Sequence, residues 1–316
     1  MNNILRPFVL LSFIIVTATM SLHGQRTPQY TQYMYNTLVL NPAYAGAKEA
    51  LSAIAMYREQ WFGVDGAPST QNLAVHGLVS DRLGMGLTLV NDEIGNGTLA
   101  QTEFNLAFSY TIPTSELGRL GFGLQLGGNL LNIDFNQLRV FDPSLNPGLQ
   151  TNIDNQFSPN FGLGAYYRHG GFYGGVSMPA VLRTEFFDVD DEEDGVSLAP
   201  FRSYFITGYV MQLSSDWMFK PAVLVQLEAG TPAQADISAN FMFKEKFTIG
   251  AGYRIGASMA VLAGYQLTNN FMVGMAYDRE LSPFASQVFN DGAVEFFVAY
   301  DFLNRFCKCT TQPRFY

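Results

Sequence analysis

The sequence predicts an all-β protein: a transmembrane outer-membrane β-barrel of about fourteen antiparallel strands with an N-terminal plug-like extension. Hydrophobic residues make up 48% of the chain and charged residues only 14%, against about 25% charged residues in typical soluble proteins. Apolar and polar residues alternate along many short segments, and long connections alternate with short ones. Beyond the N-terminus, no run of about 18 uncharged apolar residues predicts a membrane-spanning helix.

Residues 1–24 have the features of a secretory signal peptide. Arg6 precedes an apolar run from Phe8 to Met20, and Gly24 is a small residue suited to cleavage. The alternative, an N-terminal membrane anchor, needs a run of roughly 20 apolar residues. We therefore expect the signal peptide to be removed and the mature protein to leave the cytoplasm.

Residues 25–47 combine aromatic residues, amides and an Asn-Pro turn without sustained alternation. We interpret them as an ordered periplasmic or plug segment packed into the mouth of the barrel, because tyrosine pairs an apolar body with a polar tip. The alternative is an unstructured periplasmic leader. The candidate partner-binding residues of this segment are Tyr30, Gln32, Tyr33, Asn41, Pro42 and Tyr44.

Alternation with a period of two predicts the strands of the barrel, which we place within residues 48–304. From Glu103 to Ile112, for example, the even-numbered residues are apolar and the odd-numbered residues are small or polar. In a soluble sandwich the apolar set would face a core, whereas in a barrel it faces lipid and the other set faces the lumen. The predicted lipid-facing residues include Phe104, Phe108, Phe241, Ile249, Val273 and Phe296.

The strand count is even, as single-chain outer-membrane barrels require. The connections also fit such a barrel, because those after odd-numbered strands are mostly long and those after even-numbered strands are short, although two near residues 230 and 257 are short as well. The predicted strand centres lie near residues 55, 74, 87, 105, 124, 163, 175, 207, 222, 239, 251, 262, 275 and 297. The predicted long connections are residues 61–68, 92–98, 132–156, 179–200 and 280–291, and a tail, residues 305–316, follows the barrel.

Charged residues of both signs fall on the predicted lumen face. A mixed set favours a filled lumen with internal ion pairs over a selective pore, which would need one sign at a constriction. The strand directions place Arg58 near the outer rim, where it could help to join the two ends of the sheet. The predicted lumen network is Arg58, Glu103, Arg254, Asp278 and Glu295.

Trp61 and Phe62 lie in the first long connection, next to Gly63. An aromatic pair at such a position either belongs to the interfacial aromatic girdle or serves as a binding anchor. We include both residues, together with Arg58, among the candidate partner-binding residues.

The sequence predicts no catalytic, metal or cofactor site. His76 and His169 have no Ser or Asp arrangement around them that would form a triad, and we interpret them as a lumen residue and a turn residue. The net charge of −9 disfavours nucleic acid as a partner, because phosphate binding requires clustered Lys and Arg. Cys307 and Cys309 leave a thiol pair or an intermolecular bridge open. The acidic run 188–194 is interpreted as a solvated loop, with a calcium site as the alternative.

Several motifs of the chain resemble the PorP/SprF family of outer-membrane proteins of the type IX secretion system. The resemblance implies a Bacteroidota-type outer membrane, a barrel akin to long-chain fatty-acid transporters, and a role in exporting or anchoring surface adhesins and in gliding. Implied partners are outer-membrane lipid, a secreted adhesin or other type IX cargo, and periplasmic type IX components, and a channel for hydrophobic solutes is the alternative function. The acidic run departs from the family pattern. The motifs are residues 31–36, 41–46, 57–63, 66–70, 84–86, 91–95 and 276–278.

Overall fold

A computed structural model describes most of the chain after the N-terminal region. The expected signal peptide, the acidic run 188–194 and the tail with Cys307 and Cys309 lie outside the described residues. The described residues are 30–137, 152–184, 196–198, 202–229, 231–281 and 292–302.

The described residues are nearly all strand. The one α-helix among them is a single turn, α1 (Thr37–Leu40), followed by a 3₁₀ turn, Pro42–Tyr44. No helix in this part of the chain is long and apolar enough to cross a membrane. The strands are β1 (Leu51–Glu59), β2 (Ser69–Leu78), β3 (Leu83–Ile94), β4 (Leu99–Pro113), β5 (Gly118–Ile133), β6 (Ile153–His169), β7 (Phe172–Met178), β8 (Leu182–Thr184), β9 (Val196–Leu198), β10 (Arg202–Tyr209), β11 (Met211–Gln212), β12 (Trp217–Glu228), β13 (Gln234–Phe243), β14 (Phe247–Arg254), β15 (Ser258–Gln266), β16 (Phe271–Glu280) and β17 (Ala293–Phe302).

Fourteen of these strands close into an antiparallel barrel. Neighbours along the chain pair with one another, β10 pairs with both β7 and β12, and the ring closes where β1 pairs with β17 over nine residue pairs, Leu51–Phe302 to Glu59–Val294. Each of the fourteen predicted strand centres lies within one of these strands. The predicted closed antiparallel barrel of fourteen strands is therefore confirmed.

Three short strands were not predicted. Strands β8 and β9 form a separate two-stranded sheet within the connection after β7, which we had expected to be an irregular loop over residues 179–200. Strand β11 continues the line of β10 after an interruption at Val210 and pairs with the start of β12. The register places Pro221 opposite Tyr209, and a proline cannot donate a hydrogen bond to the ladder, so the pairing breaks at this point.

The outer wall carries the predicted apolar belt. Phe104, Phe241, Ile249 and Phe296 point outward and are exposed on the isolated chain, with Ile249 reaching 64%, while Phe108 and Val273 share their parity and are partly exposed. Because most inward-facing positions of the same strands are small or polar, lipid is the environment that this wall fits.

The two ends of the barrel differ in the length of their connections. At one end, which we call the long-loop end, the strands are joined by residues 60–68, 134–152, 179–201 and 281–292. At the other, the tight-turn end, the connections have two to four residues, as in Gly170–Gly171. One predicted long connection, residues 92–98, is wrong: β3 continues through Asn91, Asp92 and Glu93, whose side chains accept hydrogen bonds from polar neighbours, and only residues 95–98 form the turn to β4.

Candidate functional site

Residues 30–47 lie inside the ring of strands. Gln32 is fully buried, and Tyr33 and Leu38 are almost so. We call residues 30–36 the arm and residues 38–46, which include most of α1 and the 3₁₀ turn, the foot. We expected this segment in the mouth of the barrel, but it reaches further: the foot lies near the tight-turn end, and the arm reaches residues close to the long-loop end.

Inward-facing glycines of β3, β5, β6 and β7 form a groove for the foot. A β-carbon at Gly84 would overlap the carbonyl of Ala45, and one at Gly123 would overlap the main chain between Pro42 and Ala43. We call this set the glycine groove. It comprises Gly84, Gly86, Gly121, Gly123, Gly164 and Gly175.

Asn41 anchors the foot with its whole side-chain amide. Its Oδ1 accepts the main-chain N–H of Ala43 at 2.9 Å, and its Nδ2 donates to the carbonyl of Ala165 at 3.0 Å and to that of Val176 at 3.3 Å. The side chain of Asn41 occupies the space next to Gly164 and Gly175, so a residue larger than glycine at either position would displace Asn41. The amide thus joins the foot to β6 and β7.

Further hydrogen bonds fix the main chain of the foot. Ser177 Oγ donates to the carbonyl of Leu40 at 2.6 Å, and Ser109 Oγ donates to that of Ala45 at 2.5 Å. His76 Nδ1 accepts the N–H of Gly46 at 3.1 Å, so His76 is a lumen residue bound to the foot, while His169 lies beside the turn between β6 and β7. The foot is thus held by side chains of three strands, β2, β4 and β7.

The groove gives a direct test of this packing. We expect Gly123→Ala to destabilise the barrel by about 1–3 kcal/mol, because the added methyl group would overlap the foot and overpacking costs energies of this size. Gly252→Ala is the matched control, since its nearest neighbour would be 3.6 Å away. Urea titrations of both variants refolded into lipid vesicles measure the difference. Equal stability of the two variants would show that the foot does not occupy the groove.

The arm ends at a buried ionic cluster contributed by three strands. Arg58 of β1 donates to Asp278 of β16 at 2.8 Å and to Glu295 of β17 at 3.3 Å, and the three side chains are at most 6% exposed. We call Arg58, Asp278 and Glu295 the seat. Since β1 and β17 are the strands that close the ring, the seat lies across the closure.

The main chain of the arm binds the seat directly. The consecutive N–H groups of Thr31 and Gln32 donate to the two carboxylate oxygens of Glu295, each at 2.9 Å. The Thr31 hydroxyl donates to Asp278 at 2.5 Å and accepts from Arg58 at 2.8 Å. Hydrogen bonds to charged groups are about twice as strong as neutral ones, so the seat recognises the main chain of the arm through charge-assisted contacts.

Aromatic side chains of the arm contact the surrounding wall. The hydroxyl of Tyr33 lies 3.3 Å from Ser238 Oγ on β13, and the ring of Tyr35 lies 4.7 Å from that of Phe297 on β17. Burial raises the pKa of Tyr35 to about 12, so its hydroxyl stays neutral at physiological pH. The arm therefore crosses the lumen to strands that the foot does not touch.

The predicted lumen network divides into separate groups. Arg58, Asp278 and Glu295 lie together in the seat. Arg254 pairs instead with Asp236 on the neighbouring strand at 2.7 Å, and Glu103 accepts a hydrogen bond from Asn105 at 2.7 Å. Thr31, which contacts all three seat residues, was not predicted as a site residue, and neither was the glycine groove, although glycines recur at inward positions of the sequence.

Trp61 and Phe62 lie outside the lumen, in the connection after β1 at the long-loop end, and are 43% and 50% exposed. Trp61 has φ 51°, a left-handed conformation that is rare for a bulky residue. The N–H of Phe62 donates to the carbonyl of Gly292 at 2.9 Å. The aromatic pair is thus fixed to the connection that leads into β17.

The geometry provides a lumen occupied by the chain's own segment. Within the described ranges, His, Cys, Asp and Glu side chains form no group of three that could hold a metal ion. The apolar outer wall, the closed ring and the unequal ends together define an outer-membrane β-barrel. The chain belongs to the PorP/SprF family of type IX secretion system membrane proteins, whose family model matches residues 22–300. Family and fold are both non-enzymatic in kind.

Among solved structures, the chain is similar to outer-membrane protein Omp33 of Acinetobacter baumannii, with 10% identity, 81% of this chain and 100% of that chain covered, and a TM-score of 0.47. It is also similar to the toluene transporter TodX of P. putida, with 10% identity, 85% and 95% coverage, and a TM-score of 0.47. None of the curated proteins matches the chain significantly.

Proposed function

We propose that this chain is a non-enzymatic outer-membrane barrel that holds a secreted adhesin or other type IX cargo at its long-loop end, while residues 25–47 act as a plug. The observation that carries the proposal is the burial of the arm and foot inside the ring, which leaves the rim as the accessible surface. Long connections of outer-membrane barrels face outward and tight turns face the periplasm. In this orientation the tight-turn end meets periplasmic type IX components in a Bacteroidota-type envelope, after signal-peptide cleavage.

We call Trp61 and Phe62 the aromatic tip. The position of this tip favours contact with a partner protein over contact with lipid. The last apolar residue of the outer face of β1 is Tyr57, and the outward-facing Glu59 follows it before Trp61 is reached. On β2 and β3, Ser69 pairs with Glu59 and with Glu93, so polar and acidic groups lie between Trp61 and the apolar belt on this side, whereas on the other side Val294 of β17 lies opposite Glu59. Aromatic side chains beyond such a belt and fixed by main-chain hydrogen bonds resemble preorganised binding anchors.

Deletion of the gene tests the role. We expect one particular adhesin to be retained in the cell or released into the medium, while other type IX cargo is still secreted. Normal surface display of every such adhesin, together with lost uptake of a hydrophobic compound, would contradict the proposal and favour the alternative, a channel for hydrophobic solutes.

Trp61→Ala/Phe62→Ala tests the tip. We expect the double variant to weaken retention of the partner at the surface by about 30-fold or more, since truncating a central aromatic anchor costs about 2 kcal/mol or more. Trp217→Ala is the matched control, because Trp217 is similarly exposed at 41% but lies at the tight-turn end. Surface immunodetection of the adhesin, with equal barrel abundance, gives the readout. Equal loss from both variants would assign the tip to the lipid interface.

A further inference from the structure

The foot and the arm are held in different ways. The foot packs into the glycine groove, where the glycines leave space for its main chain and for Asn41. Both polar side-chain atoms of Asn41 form hydrogen bonds. No other conformation of the foot would fill the glycine groove equally well, and voids in a packed interior are costly. The foot is therefore a permanent part of the barrel.

The arm is less completely satisfied. Several buried side-chain polar atoms in the described part of the chain have no hydrogen-bond partner, and four of them belong to the arm or to the side chains that receive it: Gln32 Oε1, Asn36 Oδ1, Asn72 Nδ2 and Arg58 Nε. Buried polar atoms without partners destabilise the state that contains them. These four atoms lie on the arm or on the side chains that receive it, whereas Asn41 in the foot has none.

The recognition of the arm by the seat depends mainly on groups that any polypeptide can supply. Glu295 accepts two consecutive main-chain N–H groups, which are independent of side-chain identity. The Thr31 hydroxyl adds a side-chain contact, because it donates a hydrogen bond to Asp278 and accepts one from Arg58. The seat has two carboxylates and one guanidinium, so its formal charge is negative. This charge favours ligands that donate hydrogen bonds and disfavours anionic ligands.

From these contacts we infer that the arm is displaceable and that its seat is a binding site for a partner polypeptide. The ligand is a segment that offers a hydroxyl residue and two successive free main-chain N–H groups, as Thr31 and Gln32 do. Arg58, Asp278 and Glu295 each lie within three residues of a long connection, so such a segment reaches the seat from the long-loop end. The inference rests on the proposed role in holding a secreted partner and adds where and how its chain is recognised.

Peptide binding to the full-length chain tests the inference. The variant Thr31→Val/Gln32→Pro removes the hydroxyl and one N–H donor from the arm and leaves the seat unchanged. The probe is a fluorescent peptide of residues 28–36. We expect it to bind this variant at least tenfold more tightly than it binds the wild-type chain, in which the arm occupies the seat. A peptide carrying the same two substitutions is the control and should not bind.

Adding Glu295→Gln to the variant should reduce peptide binding at least tenfold, because the amide presents a donor where an acceptor is needed. Unchanged binding after this substitution, or equal binding to variant and wild type, would overturn the inference. Hydrogen exchange of the wild-type chain gives a second test that needs no variant: the amides of the arm should exchange before those of the foot, and equal protection would overturn it. Neither result depends on the adhesin assay in cells, so the two proposals can fail separately.

Discussion

Arginine in place of Val298 is expected to destabilise the membrane-inserted barrel by about 2–4 kcal/mol, because a charge on the lipid face near the midplane costs this much. Val298 is 45% exposed on the outer wall and is the middle one of the five outward-facing residues of β17, from Val294 to Phe302. Refolding titrations in lipid vesicles, followed by heat-modifiable migration on gels, measure the loss.

The matched control for this substitution is Gln71→Arg. Gln71 also faces outward but lies at the edge of the apolar belt, between Tyr57 of β1 and Asn91 of β3, where arginine reaches headgroups and water. We expect this variant to lose less than about 1 kcal/mol. Similar losses in both variants would mean that the outer wall does not face lipid.

Arg58→Met is expected to cost about 3–5 kcal/mol, because removing one member of a buried ionic cluster leaves the others uncompensated. Two carboxylates, Asp278 and Glu295, would remain buried side by side at the closure of the ring. Urea unfolding of the refolded variant measures the loss in stability, and exchange of the arm amides should increase at the same time.

Arg202→Met provides the comparison for the ionic cluster. Arg202 pairs with Glu228 at 2.6 Å, but both side chains are 20% exposed. A partly solvated pair contributes at most about 1 kcal/mol, so the loss should be much smaller than at Arg58. If both variants lost the same stability, the seat would not be the buried cluster described above.

The strands of this barrel could be predicted because alternation with a period of two is a local property of the sequence. The prediction failed where local polarity misled it: Asn91, Asp92 and Glu93 are polar, yet they continue β3 above the apolar belt and bond to neighbouring strands. The interruption at Val210 arises from Pro221 on the next strand. This interruption can be predicted only when the register between the two strands is known.

The candidate site could be predicted only in part. Arg58 and Asp278 could be placed near the outer rim from the strand directions, whereas Glu295 was named only as one member of the lumen network. Arg254 pairs with Asp236 because the register of the β13–β14 hairpin places these residues opposite each other. This pairing could have been predicted from the sequence, because both residues are nine positions from Glu245 in the turn. The path of the arm and foot could not be predicted, because the glycine groove and the seat are assembled from strands that are far apart in the sequence.

The placement of the foot and the arm has a consequence for how the protein is built. The glycine groove uses β3, β5, β6 and β7, so it is complete once the chain has been made as far as Met178. The seat needs Asp278 and Glu295, which arrive only with the last two strands, and β17 is also the strand that closes the ring on β1. The foot therefore depends only on strands of the first part of the sheet, whereas the seat of the arm exists only where the two ends of the sheet meet, so occupation of the seat and closure of the ring depend on each other.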